Sequence, residues 1–156
     1  MTTVYVAAEK LMIWNKEGHL SLDESLIDTL RIHSKSNRFV IYFAPARFGL
    51  WFDGQNEVED AWRYIAHGLK PTGFHPADVF LFNEDAETEI FQKDLAAQPE
   101  NQATALILSD APCDETLAQT LGIQKVTEIP SHISSLWKKI DIRRAFKTFV
   151  AAAIQA

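Results

Sequence analysis

Hydrophobic and polar positions along the chain fall into two alternating patterns. Short apolar runs occur at Lys10-Leu-Met-Ile-Trp-Asn15, Arg38-Phe-Val-Ile-Tyr-Phe43, Asp78-Val-Phe-Leu-Phe-Asn83, Thr104-Ala-Leu-Ile-Leu-Ser109 and from Gln124 to Ile129. Each reads as a buried strand, and Thr3 to Val6 is expected to pair with the first as an edge strand. Between these runs the apolar residues recur at helical spacing. Leu22, Leu26, Leu30 and His33 form one such face, and Val58, Ala61, Trp62, Ile65 and Leu69 form another. A helix from about Ala86 to Ala97 is expected to bury Ile90, Phe91 and Leu95, and a short one runs from Asp114 to Leu121. Ser21 with Glu24 reads as a capping box, and Asn56 with Glu59 as a second cap. Gly122 is placed to end its helix in the left-handed conformation. Strands apolar on both faces, separated by amphipathic helices, predict an α/β fold. The expected form is a three-layer α/β/α sandwich around a mainly parallel, five-stranded, Rossmann-like sheet. Ligands of such sheets bind beyond the carboxyl ends of the strands. Chemistry is therefore sought just after residues 15, 43 and 109.

The C-terminal region, opened by Pro130, carries two apolar stripes. Ile133, Leu136, Trp137 and Ile140 share one helical face; Ile142, Phe146, Phe149, Val150 and Ala153 share another. At about 100° per residue the second stripe is turned well away from the first. Either the chain bends near Asp141, which could cap a second helix, or the last stripe packs on another chain, a protein partner or a second copy. Lys138, Lys139, Arg143, Arg144 and Lys147 make a local basic cluster here.

The length of 156 residues fits one domain, expected to span 1–156 with a helical region over 131–156. Fifteen Lys and Arg against 21 Asp and Glu leave a net charge of −6. That balance argues against general nucleic-acid binding, which needs a basic footprint. Cys113 is the single cysteine, so an intramolecular disulfide and a four-cysteine metal knot are both excluded. The N-terminus lacks the pattern of a signal peptide, and no run approaches 18 apolar residues. No membrane span is expected, and the expected setting is cytoplasmic.

Three segments at the expected strand ends carry a likeness. They are Asn15-Lys-Glu-Gly-His-Leu20, Ala44-Pro-Ala-Arg47, and Ser109-Asp-Ala-Pro-Cys-Asp114 leading into Leu121-Gly-Ile123. The layout from about Lys10 to Ile129 resembles the haloacid dehalogenase-like superfamily of phosphatases and related hydrolases. That family ends its first strand in Asp-x-Asp-Gly-Thr-Leu and its second in Ser or Thr, carries a Lys between the third and fourth, and ends the fourth in a run like Gly-Asp-Ser-x-x-Asp. The resemblance implies a strand order of five-four-one-two-three and no large cap. It also implies an aspartate that attacks phosphorus, a second aspartate acting as acid and base, and Mg²⁺ held by oxygen ligands.

Against that pattern, Asn15 takes the nucleophile position, Glu17 stands for the second aspartate, and His19 replaces the Thr. Ala44 replaces the phosphate-holding Ser or Thr. No Lys is in register near Asp85; Lys93 lies about two turns further on, and Lys16 and Lys70 reach in only through a rearranged loop. Asp110 and Asp114 survive as candidate Mg²⁺ ligands, although a helix N-cap accounts for Asp114 unaided. Asp53 reads as a turn residue, and His33, His67, His75 and His132 lack metal-ligand spacing. Acids flanking Cys113 oppose a thiolate. Phe48-Gly-Leu-Trp-Phe52 reads as a loop run either buried under a lid or crossover segment within 48–77 or exposed as a patch for a partner, with burial the favoured reading. Two functions stay open. One is a degenerate, non-catalytic protein acting by interaction or regulation. The other is a divergent Mg²⁺-dependent phosphohydrolase using Glu17, Asp110 and Asp114 on a small phosphorylated substrate.

Overall fold

The computed structural model describes residues 2–14, 20–43, 63, 67–81, 87–98, 105–108, 112–123, 125–127 and 138–155. Its centre is β1 (Thr2–Ala7), a strand whose residues from Thr3 onward are fully buried. Strands β4 (Asn37–Phe43) and β6 (Leu106–Leu108) flank it, each parallel, with Val6 opposite both Ile41 and Leu108. Outside these lie β5 (Asp78–Leu81) and β7 (Lys125–Thr127), also parallel, giving the order β5-β4-β1-β6-β7. That order is the one implied by the resemblance, once Thr2–Ala7 is taken as the central strand.

This is the main correction to the reading from sequence. Of the run Lys10–Asn15, expected as the first parallel strand, Lys10 and Leu11 close a 3-10 turn over Ala8–Leu11 and the next three residues form β2 (Met12–Trp14). Strand β2 pairs antiparallel with β3 (Leu20–Leu22) in a separate two-stranded ribbon. The physical reason lies in Tyr5. Its hydroxyl marks a half-exposed position on an edge strand, yet it donates at 2.5 Å to Asp94, 89 residues away. A distant carboxylate thus removes the penalty of burying a phenol in the central strand.

Side chains alternate across the sheet. Tyr5 and Tyr42 stand on one face, with ring edges on Phe91 at centroid distances of 4.8 and 5.4 Å. Phe91 belongs to α2 (Glu87–Ala97), which packs against α3 (Pro112–Leu121). On the other face Phe39 meets Phe74 at 5.8 Å, beside the turn that touches α1 (Glu24–His33). α1 in turn packs against α4 (Lys139–Gln155).

Helix α1 is not capped by Ser21, which lies in β3. Asp23 is the N-cap, accepting from the Leu26 amide at 3.2 Å. Its carboxylate also takes three hydrogen bonds from the Arg143 guanidinium, the shortest 2.6 Å, tying the start of α1 to the start of α4. Helix α3 closes as expected. Gly122 sits at φ 71°, the Ile123 amide reaches the Ala118 carbonyl at 2.9 Å, and the Gly122 amide reaches Gln119 at 3.2 Å. This pair of bonds is the Schellman arrangement, which needs a left-handed residue between the two donors. Gly122→Ala is expected to cost about 1–2 kcal/mol, the left-handed penalty of an L side chain. A lowered urea midpoint at unchanged slope checks it.

Helix α4 starts at Lys139, the Lys138 carbonyl accepts the Asp141 and Ile142 amides, and Asp141 lies in the first turn rather than capping it. Ile142, Phe146, Val150 and Ala153 are buried within this chain, so the stripe considered as a contact for another molecule is core; Phe149 and Ile140 remain exposed. Ile133, Leu136 and Trp137 lie outside the described residues. Among the described residues no helix is long and apolar enough to cross a membrane.

Candidate functional site

The carboxyl end of β1 is Ala7, which pairs with Tyr42 of β4. Directly after it, the turn Ala8–Leu11 carries Glu9 and Lys10, only 7% and 3% exposed. Short apolar neighbours on both sides fold this segment inward, because Ala8 and Leu11 join the core. Neither Glu9 nor Lys10 is without a partner, as burial of an ionised group demands. From the next strand, the Tyr42 hydroxyl donates at 2.7 Å to Asp114, whose exposure is zero. Ala7, Glu9 and Asp114 thus come from the strand ends and the first turn of α3, where an open α/β sheet binds ligands.

Asp114 is not the N-cap expected for it. It lies inside α3, third residue from its start, with its side chain turned into the core. Asn15, Glu17, Ala44 and Asp110, the other residues singled out from sequence, lie outside the described residues, as do Phe48–Phe52, Asp53, His19 and His132. The match of Asn15 to the nucleophile position rests on Lys10–Asn15 as the first strand of the sheet, whereas the central strand is Thr2–Ala7. Ala7, Glu9, Lys10 and Tyr42 were missed. The signal available for them is the Val4-Tyr-Val-Ala-Ala8 run, followed at once by an acid and a base.

Divalent cations of the Mg²⁺ kind need several oxygen ligands at once. Of the two candidate ligands named from sequence, the described one, Asp114, already accepts a hydrogen bond from the Tyr42 hydroxyl. Among the described residues no three His, Cys, Asp or Glu side chains gather in a way that could hold a metal. The described part of the site offers two buried titratable side chains, Glu9 and Lys10, and no nucleophilic oxygen at Ala7.

A second polar cluster lies on the same face, nearer the amino ends of the strands. Arg38, opposite Thr3, makes two bonds to Asp94 at 2.7 and 2.8 Å, and Tyr5 makes a third. Burial raises the Asp94 carboxyl, but hydrogen bonds from Arg38 and Tyr5 and the Arg38 charge outweigh it, so the group titrates below the usual range. Burial, and then the hydrogen bond to Asp94, push the Tyr5 phenol well above its ordinary value. The Arg38 guanidinium is held more basic by the same hydrogen bonds. This cluster ties the sheet to α2 and acts as a strut between them.

A half-open cavity of about 350 Å³ lies on the opposite side of the sheet, between β3, the start of α1 and residues 68–72. Leu22 and Ile27 supply apolar walls and Glu24 and Asp28 an acidic rim. Gly68 packs so tightly there that a Cβ would stand 2.7 Å from a Leu22 methyl.

Comparison with family models and with curated proteins returns no match. Among solved structures the chain is similar to D,D-heptose 1,7-bisphosphate phosphatase from Burkholderia thailandensis. The TM-score is 0.56 at 13% identity, over 97% of this chain and 99% of that one. The likeness carries the fold: an α/β protein with a parallel sheet flanked by helices, consistent with the haloacid dehalogenase-like resemblance.

Proposed function

We propose that the chain is a degenerate haloacid dehalogenase-like protein, without aspartate-nucleophile phosphatase activity, that works through protein interaction or regulation in the cytoplasm. The observation carrying this reading is the residue that ends the central strand. The resemblance puts an attacking aspartate there, and this chain has Ala7, a methyl group with no electron pair to give phosphorus. Two residues on, Glu9 stands where the second aspartate is implied, and Lys10 follows where the family has Gly. Asp114 supports the reading too, since its carboxylate is spent on the Tyr42 hydroxyl inside the core.

The competing reading is a divergent Mg²⁺-dependent phosphohydrolase. Buried Glu9 keeps it in view, joined by Asp110, Asp114 and Glu17 of the sequence argument. Release of phosphate from a generic aryl phosphate, with and without Mg²⁺, separates the two. Removing a covalent nucleophile costs up to about 10⁶-fold in rate where it has been measured. We therefore expect turnover indistinguishable from a no-protein blank. Mg²⁺-dependent turnover that disappears in Asp110→Ala would overturn the proposal.

A further inference from the structure

We propose that the chain associates with a second copy of itself, about a two-fold axis, through the amino ends of α1 and α4. The surface rests on two features that the core does not use. At the start of α4, Ile140 is 58% exposed. Around it on the helix lie Lys139, Arg144 and Lys147, at spacings of one, four and seven residues, with Lys138 just before. None of these four cations has an ion-pair partner among the described residues; only Arg143 of the cluster does, with Asp23. A protruding apolar side chain ringed by free cations is thus exposed on a chain whose net charge is −6.

The complementary feature is the half-open cavity beside α1. Its walls are Leu22 and Ile27, and its rim carries Glu24 and Asp28. Asp28 shares its charge with Arg31 at 2.9 Å, whereas Glu24 is exposed and has no such partner. A volume of about 350 Å³ is ample for a butyl-sized side chain such as Ile140.

The placement of the two features favours a second copy over other occupants. Arg143 binds Asp23, the residue before Glu24, and Ile140 precedes Arg143 by one helical turn. Knob and cavity therefore sit at the same end of the α1–α4 pair. When a knob and its matching cavity share one end of a molecule, a two-fold axis can seat each in the other, so the contact closes at two chains instead of growing into a filament. The opposite charges on the two features fix which parts meet. The inference does not depend on whether the chain hydrolyses phosphate esters, so the aryl phosphate assay and the test below can fail separately.

Sedimentation velocity over a concentration series at 50 mM salt tests it. The expected result is a mass that climbs from one chain to two and falls back at 1 M salt, where the screening length shrinks from about 10 Å at 0.1 M to about 3 Å. Glu24→Lys alone, and Lys139→Glu with Arg144→Glu, are each expected to be monomeric with unchanged circular dichroism. Their equimolar mixture is expected to recover the two-chain species, because both contacts then pair opposite charges again. Ile140→Glu, at an exposed site, is expected to weaken association at least tenfold without unfolding. A wild-type chain that stays monomeric throughout overturns the proposal, including one that instead binds phosphatidylserine vesicles. So does a dimer that none of these changes disturbs.

Discussion

A chain ending at Lys138 is expected to aggregate or remain unfolded instead of giving a soluble monomer. Helix α4 would be lost, and with it Ile142, Phe146 and Val150, none more than 2% exposed. Burying each such side chain is worth about 1.5–3 kcal/mol, so the three together reach about 4.5–9 kcal/mol. Net stabilities of domains this size run at about 5–15 kcal/mol, which leaves little or nothing once the helix is gone. The loss also strips the guanidinium from Asp23, a carboxylate 5% exposed at the start of α1. Circular dichroism and light scattering on the truncated chain check the outcome; a cooperative thermal transition from a monomer would contradict it. Phe146→Ala gives the graded form, with an expected cost of about 3–5 kcal/mol by denaturant unfolding.

That expectation could be framed from the sequence but not decided there. Two stripes rotated about the helix axis demand either a bend or a partner, and only Arg143 meeting Asp23 across 120 residues, with Phe146 in the core, shows that the second stripe packs within this chain. The rest of the fold was legible for the same reason. Runs such as Arg38–Phe43 and Asp78–Leu81 read as strands from their consecutive apolar residues, and a Gly after Leu121 has one obvious use. What failed was the choice between two neighbouring apolar runs at the N-terminus. Thr2–Ala7 contains two Thr and a Tyr, whereas Lys10–Trp14 is apolar after its first residue, so local polarity favours the wrong one as central. Composition of a strand cannot register that Asp94 awaits its tyrosine. The slip moved the candidate site as well. Reading Lys10–Asn15 as the strand directs attention to Asn15, whereas the true strand end directs it to Ala7 and Glu9, eight and six residues earlier. Asp114 stands out in the sequence as a candidate ligand, but its partner Tyr42 lies on a strand that reads purely as core, 72 positions away.

The same distant pairing underlies the second large effect. Arg38→Met is expected to destabilise the chain by about 3–5 kcal/mol, the cost of leaving one member of a buried ion pair uncompensated. Arg38 and Asp94 side chains are only 16% and 11% exposed, so solvent screens little of the loss. Replacing the whole cluster, with Arg38→Met, Asp94→Leu and Tyr5→Phe together, is expected to recover most of it, since no buried charge or phenol is then left over. The pH dependence identifies the cluster as the cause. Asp94 titrates below its unfolded value, so its contribution is complete above about pH 4 and drains away as the pH falls further. Tyr5 titrates above its unfolded value, so its contribution is complete below about pH 10 and is lost as the pH rises beyond that. Tyr5→Phe should therefore cost about 1.5–3 kcal/mol at neutral pH, the worth of a hydrogen bond to a charged group. It should also flatten the alkaline limb of the stability profile while leaving most of the acid limb in place. Urea unfolding between pH 3 and pH 11 reads both limbs, and an alkaline limb unchanged in Tyr5→Phe would show that another group governs it.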